Sequence, residues 1–338
     1  MFKFNERWFE LKEDTDIYFD NNYGKLYEKV ENGIAKVFEY EDENGKITNQ
    51  FIVREIPEKI DGKIYYDIVT PYGYGGPKVH YFNNKELLLL NFEKAFTKYC
   101  EEENIVSEFV RFHPLEKNYI DFEKMYDAKY MRKTLATNLE DFEDPFQSEF
   151  SKSTKKTVKR VLNLGVTCRI TENPENLEEF KRVYYLNMER KEASEYYFFD
   201  DQYFSDILKY YPNNVILVEA IYENKVVAAG LYFVCNKIIH AHLSGTDTEY
   251  LELSPAYILK YATVIWGKER GYRLIHYGGG LSNSEEDSLY KFKRKFAQNT
   301  DFNFYIGKKI WNNEIYNKLC GIKNVSPDES FFPAYRKH

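Results

Sequence analysis

Apolar and polar residues alternate along much of the first third of the chain, the period of half-buried strands. Ile34–Tyr40 and Thr48–Glu55 flank Glu43-Asn44-Gly45-Lys46, and this spacing predicts a β-hairpin. Tyr65–Thr70 reads as a strand leading into the glycine-rich Tyr72–Gly76. Over Asn84–Glu102 the period becomes helical, with Leu87, Leu90 and Phe96 on one side, and Val106–Phe112 returns to strand. Residues 141–153 are acidic, then polar, and contain Asp144-Pro145, which places a boundary near residue 150. After it come a strand (Thr167–Thr171), helices (Asn176–Arg190, Asp201–Tyr210) and three strands (Val215–Tyr222, Val226–Cys235, Ile238–Ser244). A helix (Pro255–Arg270), a strand (Leu274–Tyr277), a helix (Glu285–Ala297) and a strand (Phe302–Ile306) complete the series. The fold class is α/β, with two domains, 1–150 and 151–338, that repeat one strand–helix order.

Length supports two cores rather than one. The 31 Tyr and 26 Phe read chiefly as core and strand residues. A net charge of −7 argues against a general nucleic-acid coat but leaves room for a local basic patch. Such a patch is the helix Ser151–Gly165, where Lys152, Lys156 and Arg160 share a face. It reads either as a phosphate-binding stripe or as a solvated connecting helix. Cys100, Cys168, Cys235 and Cys320 form no Cys-x-x-Cys pair, so free thiols are expected. The opening MFKFNERWFELKEDTD lacks the apolar core of a signal peptide, and Leu87–Leu90 is the longest aliphatic run. A cytoplasmic location without a membrane span is the expectation.

Candidate chemistry concentrates between Ser244 and Gly307. Ser254 stands as an N-cap before Pro255 at the first helical position, so the Ser254, Ala256 and Tyr257 backbone aims free N–H groups and a positive dipole end forward. That is a phosphate site, or an ordinary capped helix. Tyr277 is followed by Gly278, Gly279 and Gly280, where backbone can approach a ligand. Tyr290-Lys291-Phe292-Lys293 lies on the next helix. A phosphate-type helix start, an opened strand edge and a lysine are the parts an acyl-transfer site needs.

These motifs, with Thr70–Pro77 and Phe109–Pro114, resemble the Fem-type (FemABX-like) peptidoglycan-bridge aminoacyltransferases and related GNAT-fold acyltransferases, over nearly the whole chain. The resemblance implies two GNAT-like domains, each a mixed sheet flanked by helices, with a cleft between them. It implies an acyl- or aminoacyltransferase that forms an amide on an amine of a peptidoglycan-type precursor. The donor would be aminoacyl-tRNA or acyl-CoA, with no permanently bound cofactor. It places Phe292 and Lys293 where donor and acceptor meet, Lys293 stabilising the oxyanion. Arg190, Tyr196 and Tyr197 would take the phosphates and sugar of a nucleotide-linked muropeptide. A plain GNAT N-acetyltransferase and a non-catalytic muropeptide- or nucleotide-sugar-binding protein are the alternatives.

Other positions carry two readings each. Tyr72 and Tyr74 line a cleft as substrate-binding residues or form a structural turn, and Arg111, in the other aromatic motif, is taken as substrate-binding. His113 is a base for the amine proton or a satisfied structural histidine. Tyr277, before the glycine turn, is taken as substrate-binding. His240 and His242 alternate on a strand, but no carboxylate or Cys lies in register nearby, so no metal is expected. Asp247, Glu249 and Glu252 precede the helix start in place of a glycine loop and would oppose the pyrophosphate of coenzyme A.

Overall fold

A computed structural model describes residues 15–337; the opening segment read for a leader thus lies, but for its last two residues, outside the described residues. The helices and strands begin with α1 (Asn21–Lys25), α2 (Glu28–Glu31), β1 (Gly33–Asp42), β2 (Gly45–Ile60), β3 (Lys63–Val69) and β4 (Lys78–Phe82). Then come α3 (Lys85–Glu102), β5 (Ile105–Arg111), α4 (Tyr119–Tyr126), β6 (Lys129–Asn138), α5 (Pro145–Glu149), α6 (Lys152–Asn163), β7 (Thr167–Glu172), α7 (Glu178–Arg190) and α8 (Asp201–Tyr210). The remainder are β8 (Val215–Tyr222), β9 (Lys225–Cys235), β10 (Ile238–Thr246), α9 (Ala256–Glu269), β11 (Leu274–Gly278), α10 (Ser288–Arg294), β12 (Asp301–Ile310) and α11 (Asn313–Lys323).

Two compact units result. One holds residues 18–131 and 303–337, the other 15–17 and 132–302. The division differs from a single cut at residue 150. The chain returns at its end because β12 pairs antiparallel with β5, Ile306 opposite Arg111 and Ile310 opposite Ser107. α11 then packs Ile315, Tyr316 and Leu319 against Ile56, Ile60 and Val106. Sequence periodicity cannot reveal which distant strand completes a sheet.

In the first unit β1, β2 and β3 form an antiparallel meander, and the Asp42↔Gly45 pairing closes the predicted hairpin. α3 crosses over to β5, which runs parallel to β3. The α3 face that packs is Leu88, Phe92, Phe96, Tyr99 and Cys100, whereas Leu87 and Leu90 are 45% and 47% exposed. Of the expected face Phe96 packs and the two leucines do not; Asn84 caps the helix by accepting from Leu87 N.

The second unit has the same plan. β8, β9 and β10 form the meander, with β7 outside β8; α9 crosses over, and β11 runs parallel to β10. β6 then flanks β11 antiparallel. Its core sets Val218, Val227, Ile239 and Ile275 against Ile258, Leu259 and Ala262 of α9. α7 packs so closely on β10 that a Cβ at Gly245 would stand 2.5 Å from the Val183 carbonyl. No helix among the described residues is long and apolar enough to cross a membrane.

Candidate acyl-transfer site

Two bulges open the sheet of the second unit. β10 and β11 pair from Ile238↔Leu274 to His240↔His276 and then part, although β10 runs on to Thr246. At that point β10 bulges against β9 between Ala241 and Leu243, and β11 bulges against β6 between His276 and Gly278. An extra residue on each strand bends both backbones out of register. Gly278 takes φ +72, which its lack of a Cβ permits. The result is a wedge between parallel strands, the opened edge the sequence suggested.

The loop after β11 is pinned from three sides. Lys293 Nζ donates to Gly279 O at 2.6 Å. Arg132 Nη1 donates to Gly280 O at 2.6 Å and to Ser282 O at 3.2 Å. Asp287 caps α10 by accepting from Tyr290 N, and its other oxygen accepts from Leu281 N and Ser282 N. Backbone N–H groups, Tyr290's first, hold the Asp287 carboxyl below its ordinary range. This folded loop explains why α10 starts at Ser288 rather than at Glu285; the helix ends at Arg294, short of the expected Ala297.

Lys293 therefore sits at the glycine turn, as expected. The residue as a whole is half-buried, yet its ammonium end is enclosed. Burial pulls its pKa down from 10.5 to about 7, and the nearby charges of Lys260, Arg132 and Lys191 add to this against Asp287. Such a lysine is charged in about half of the molecules at pH 7. Phe292 anchors α10 on α9: its ring meets Tyr257 at 5.7 Å and Phe296 at 5.2 Å. Lys291, by contrast, is exposed and pairs with Glu286. Tyr277 is buried, and its hydroxyl shares a 2.7 Å hydrogen bond with Thr137, which donates to Phe296 O. Desolvation pushes that phenol far up, so it stays protonated.

The helix start differs from its sequence reading. Ser254 is not the N-cap; it takes φ +61, and Pro255 precedes the first turn of α9 without a side-chain cap. Ser254 Oγ instead accepts from Arg160 Nη2 at 3.3 Å. Ala256 and Tyr257 do form the first turn, and the Tyr257 hydroxyl accepts from Lys295 at 3.0 Å. The basic helix α6 thus puts Arg160 beside this start, while Lys152 and Lys156 of the same stripe are exposed. The three carboxylates do not act together. Asp247 is buried, bonded to Arg182 at 3.0 Å and to Lys225 at 3.2 Å; Glu249 pairs with Lys225 at 3.4 Å. Only exposed Glu252 keeps the position the sequence suggested.

Arg190 ends α7 and donates to Asn187 Oδ1 at 2.9 Å. Tyr196 and Tyr197 follow in a short 3₁₀ turn, edge to face at 5.4 Å, with Tyr197 O held by the Tyr184 hydroxyl. His240 and His242 do not share a simple face, because the bulge separates them. A carboxylate does reach His240: Asp16, 224 residues away, shares a 2.8 Å hydrogen bond with Nε2. His242 shares one of 2.6 Å with the Tyr203 hydroxyl, and burial first, then His240, takes its pKa down to about 3. It is neutral at physiological pH.

His113, Arg111, Tyr72 and Tyr74 belong to the first unit. His113 is fully buried, and its Nδ1 accepts from Glu116 N at 3.1 Å, so that nitrogen is not available as a base. Tyr74 packs its ring on Tyr18, His113 and Phe304. The Tyr72 ring lies tilted against Tyr27 at 5.7 Å, and the Tyr72 carbonyl accepts from the Tyr23 hydroxyl. Arg111 Nη1 donates to Thr70 O at 2.8 Å, and Gly75 N donates to Arg111 O. Asn118 ties Gly75 O, Pro77 O and His113 N together. The Thr70–Pro77 segment thus closes the strand edge beside β5 that the second unit leaves open at β11.

Sequence reasoning missed Lys260. Its ammonium lies in the core of the second unit, 4.9 Å from the Tyr277 ring centroid and 3.4 Å from the Tyr232 hydroxyl. The signal was there, a single lysine in the apolar run Ala256–Ala262. Arg132 was missed because nothing in its own neighbourhood hints at a loop 148 residues away. A separate hollow of about 420 Å³, lined by Asn214, Cys235, Trp266 and Arg270, lies at the opposite strand ends from the wedge.

Residues 148–294 match the acetyltransferase (GNAT) domain family. No curated protein matches the chain. Among solved structures the chain is similar to FemX, at 12% identity with 90% of this chain and 94% of that one covered and a TM-score of 0.65. It is also similar to the C-terminal domain of a putative lysylphosphatidylglycerol synthetase from Agrobacterium fabrum (12% identity, 93% and 95% covered, TM-score 0.57). A tandem GNAT protein of the clavulanic acid biosynthesis pathway follows (10%, 81% and 83%, 0.50). At these identities the likenesses establish the fold: tandem GNAT-like units. The chain carries a GNAT domain in its second unit, and its enzyme class is acyltransferase.

Proposed function

We propose that the protein transfers an acyl or aminoacyl group to an amine of a cell-envelope precursor of the peptidoglycan type, in the cytoplasm, with Lys293 at the reacting centre. The observation that carries the reading is the enclosed Lys293 ammonium on the Gly279 carbonyl beside the β10–β11 wedge. In the reaction the amine nitrogen attacks the donor's carbonyl carbon. The new oxyanion is stabilised by the charged Lys293. Collapse expels a thiolate or a ribose hydroxyl oxygen, and the amine proton leaves to solvent or to that group. The chain contributes positioning and charge, and no covalent enzyme intermediate is required. The resemblance to FemX supports a muropeptide acceptor and an aminoacyl-tRNA donor. Arg190, Tyr196 and Tyr197 are the acceptor residues in this reading, and Ala256, Tyr257, Gly278 and Gly279 the donor residues.

One observation favours the second reading, a plain N-acetyltransferase acting on an amino sugar or small amine. Asp247 is neutralised by Arg182 and Lys225, so it no longer opposes the pyrophosphate of coenzyme A, and Arg160 adds a cation at the α9 start. Mass spectrometry decides between donors. The protein is incubated with a UDP-linked muropeptide or an amino sugar and either acetyl-CoA or a charged tRNA pool, and the new amide is read by its mass. Failure of every pair, with a muropeptide still bound, would replace the catalytic reading by a binding protein.

A further inference from the structure

We propose that Lys260 and Lys293 form a subsite for an oxyanion, a carboxylate or a phosphate, carried by the substrate and seated beside the Tyr277–Gly280 stretch. Lys260 is 8% exposed. Its ammonium has a hydroxyl at 3.4 Å and the ring faces of Tyr232 and Tyr277 at 5.2 and 4.9 Å. Among the described residues no carboxylate pairs with it. A long hydrogen bond and two ring faces compensate a buried ammonium only in part. Lys293, the next cation along the same stretch, is bonded to a neutral carbonyl. Arg132 also spends its donors on carbonyls, and its buried Nε makes no hydrogen bond among the described residues.

Charge balance sharpens the point. Lys260, Arg132 and Lys191 all act on the Lys293 ammonium, against the single carboxylate of Asp287. That carboxylate is already committed to the N–H groups of Leu281, Ser282 and Tyr290. On Lys293 itself three cations thus act against the Asp287 carboxylate. A bound oxyanion adds counter-charge there, with a charge-assisted bond to Lys260 and to Lys293. The inference deepens the acyl-transfer reading by naming the chemistry of the ligand. It is tested by binding, so it fails or stands apart from turnover.

The probes are inorganic phosphate and acetate, with chloride at equal ionic strength as the control. We expect a saturable rise in melting temperature with phosphate or acetate that chloride does not give, and an upward shift of the Lys293 titration followed by NMR. Response to phosphate alone marks a phosphate-bearing ligand, response to acetate a carboxylate-bearing one. Lys260→Met should weaken the anion at least tenfold and, without anion, melt no lower than the native chain, because a buried charge that is compensated only in part is gone. Lys291→Ala should keep the native response. Chloride-like behaviour of both probes overturns the subsite, as does a Lys260→Met protein that binds the anion as the native chain does. If Lys260→Met does not fold, the Lys293 titration of the native chain decides: no shift with either probe overturns it.

Discussion

Replacing Lys293 by Met should remove activity and add stability in the same protein, and pH should separate the two effects. Moving a lysine from 10.5 to about 7 costs about 5 kcal/mol of folding free energy below pH 7, where folded and unfolded chains are both charged. Met fills similar space and has no charge to bury. It forfeits the bond to Gly279 O, worth about 1.5–3 kcal/mol for a charged donor. The variant should therefore gain about 2–3 kcal/mol at pH 6. The folded pKa is depressed, so between pH 7 and 10.5 the unfolded native chain holds more protons than the folded one. Native stability then rises with pH across that window by about 5 kcal/mol, so the variant's advantage should vanish at about pH 9 and be reversed by pH 10.5. Guanidinium unfolding at pH 6, 8 and 10 measures this slope. Turnover with any accepted donor–acceptor pair should fall by about two to three decades, the usual cost of one oxyanion donor. Parallel stability profiles would refute the enclosed ammonium, and full turnover would refute its place at the reacting centre.

A methyl group at Gly280 would stand 2.5 Å from Asp287 Oδ1 and displace the carboxylate that holds the loop, so Gly280→Ala should cut turnover more than tenfold; unchanged kinetics would show the loop to be dispensable. Lys291→Ala removes only an exposed pair with Glu286, so both its kinetics and its melting curve should match the native chain. In the first unit, burial pushes the Glu108 carboxyl up to about 7 despite bonds from Asn49 and Trp311. For an acid raised in this way, stability is full below the unfolded pKa of 4.5 and falls as pH rises to about 7, by roughly 3 kcal/mol. Glu108→Gln should flatten that fall, and denaturant titrations at pH 5 and 8 that show the same slope in both proteins would contradict it.

Most elements were written in local pattern. Strands β8 to β10, the hairpin at Asp42–Gly45 and helix α8 fall where alternation, turn residues and caps put them. Each depends on neighbours a few residues apart, and such signals survive in one sequence. The aromatic–lysine run and the triple glycine likewise marked Lys293 and Gly279 before any fold was known. Caps were read less well: Ser254 has cap chemistry but a left-handed backbone, and Asp287, a true cap, was hidden in an acidic loop.

What only the tertiary structure decided are relations across long separations. β12 joins the first unit and β6 the second because of strand pairing, which has no local signature. Bulges in β10 and β11 open the wedge, yet neither sequence differs visibly from that of an unbulged strand. Asp247 looked like a charge aimed at a ligand until Arg182, 65 residues away, proved to hold it. Lys293 looked like any helix lysine until burial and the charges of Lys260, Arg132 and Lys191 lowered its pKa. The sequence by itself determined which chemical groups exist and which local elements carry them. Their charge states and partners depend on dielectric surroundings and distances of a few ångströms, and only the packed chain defines these.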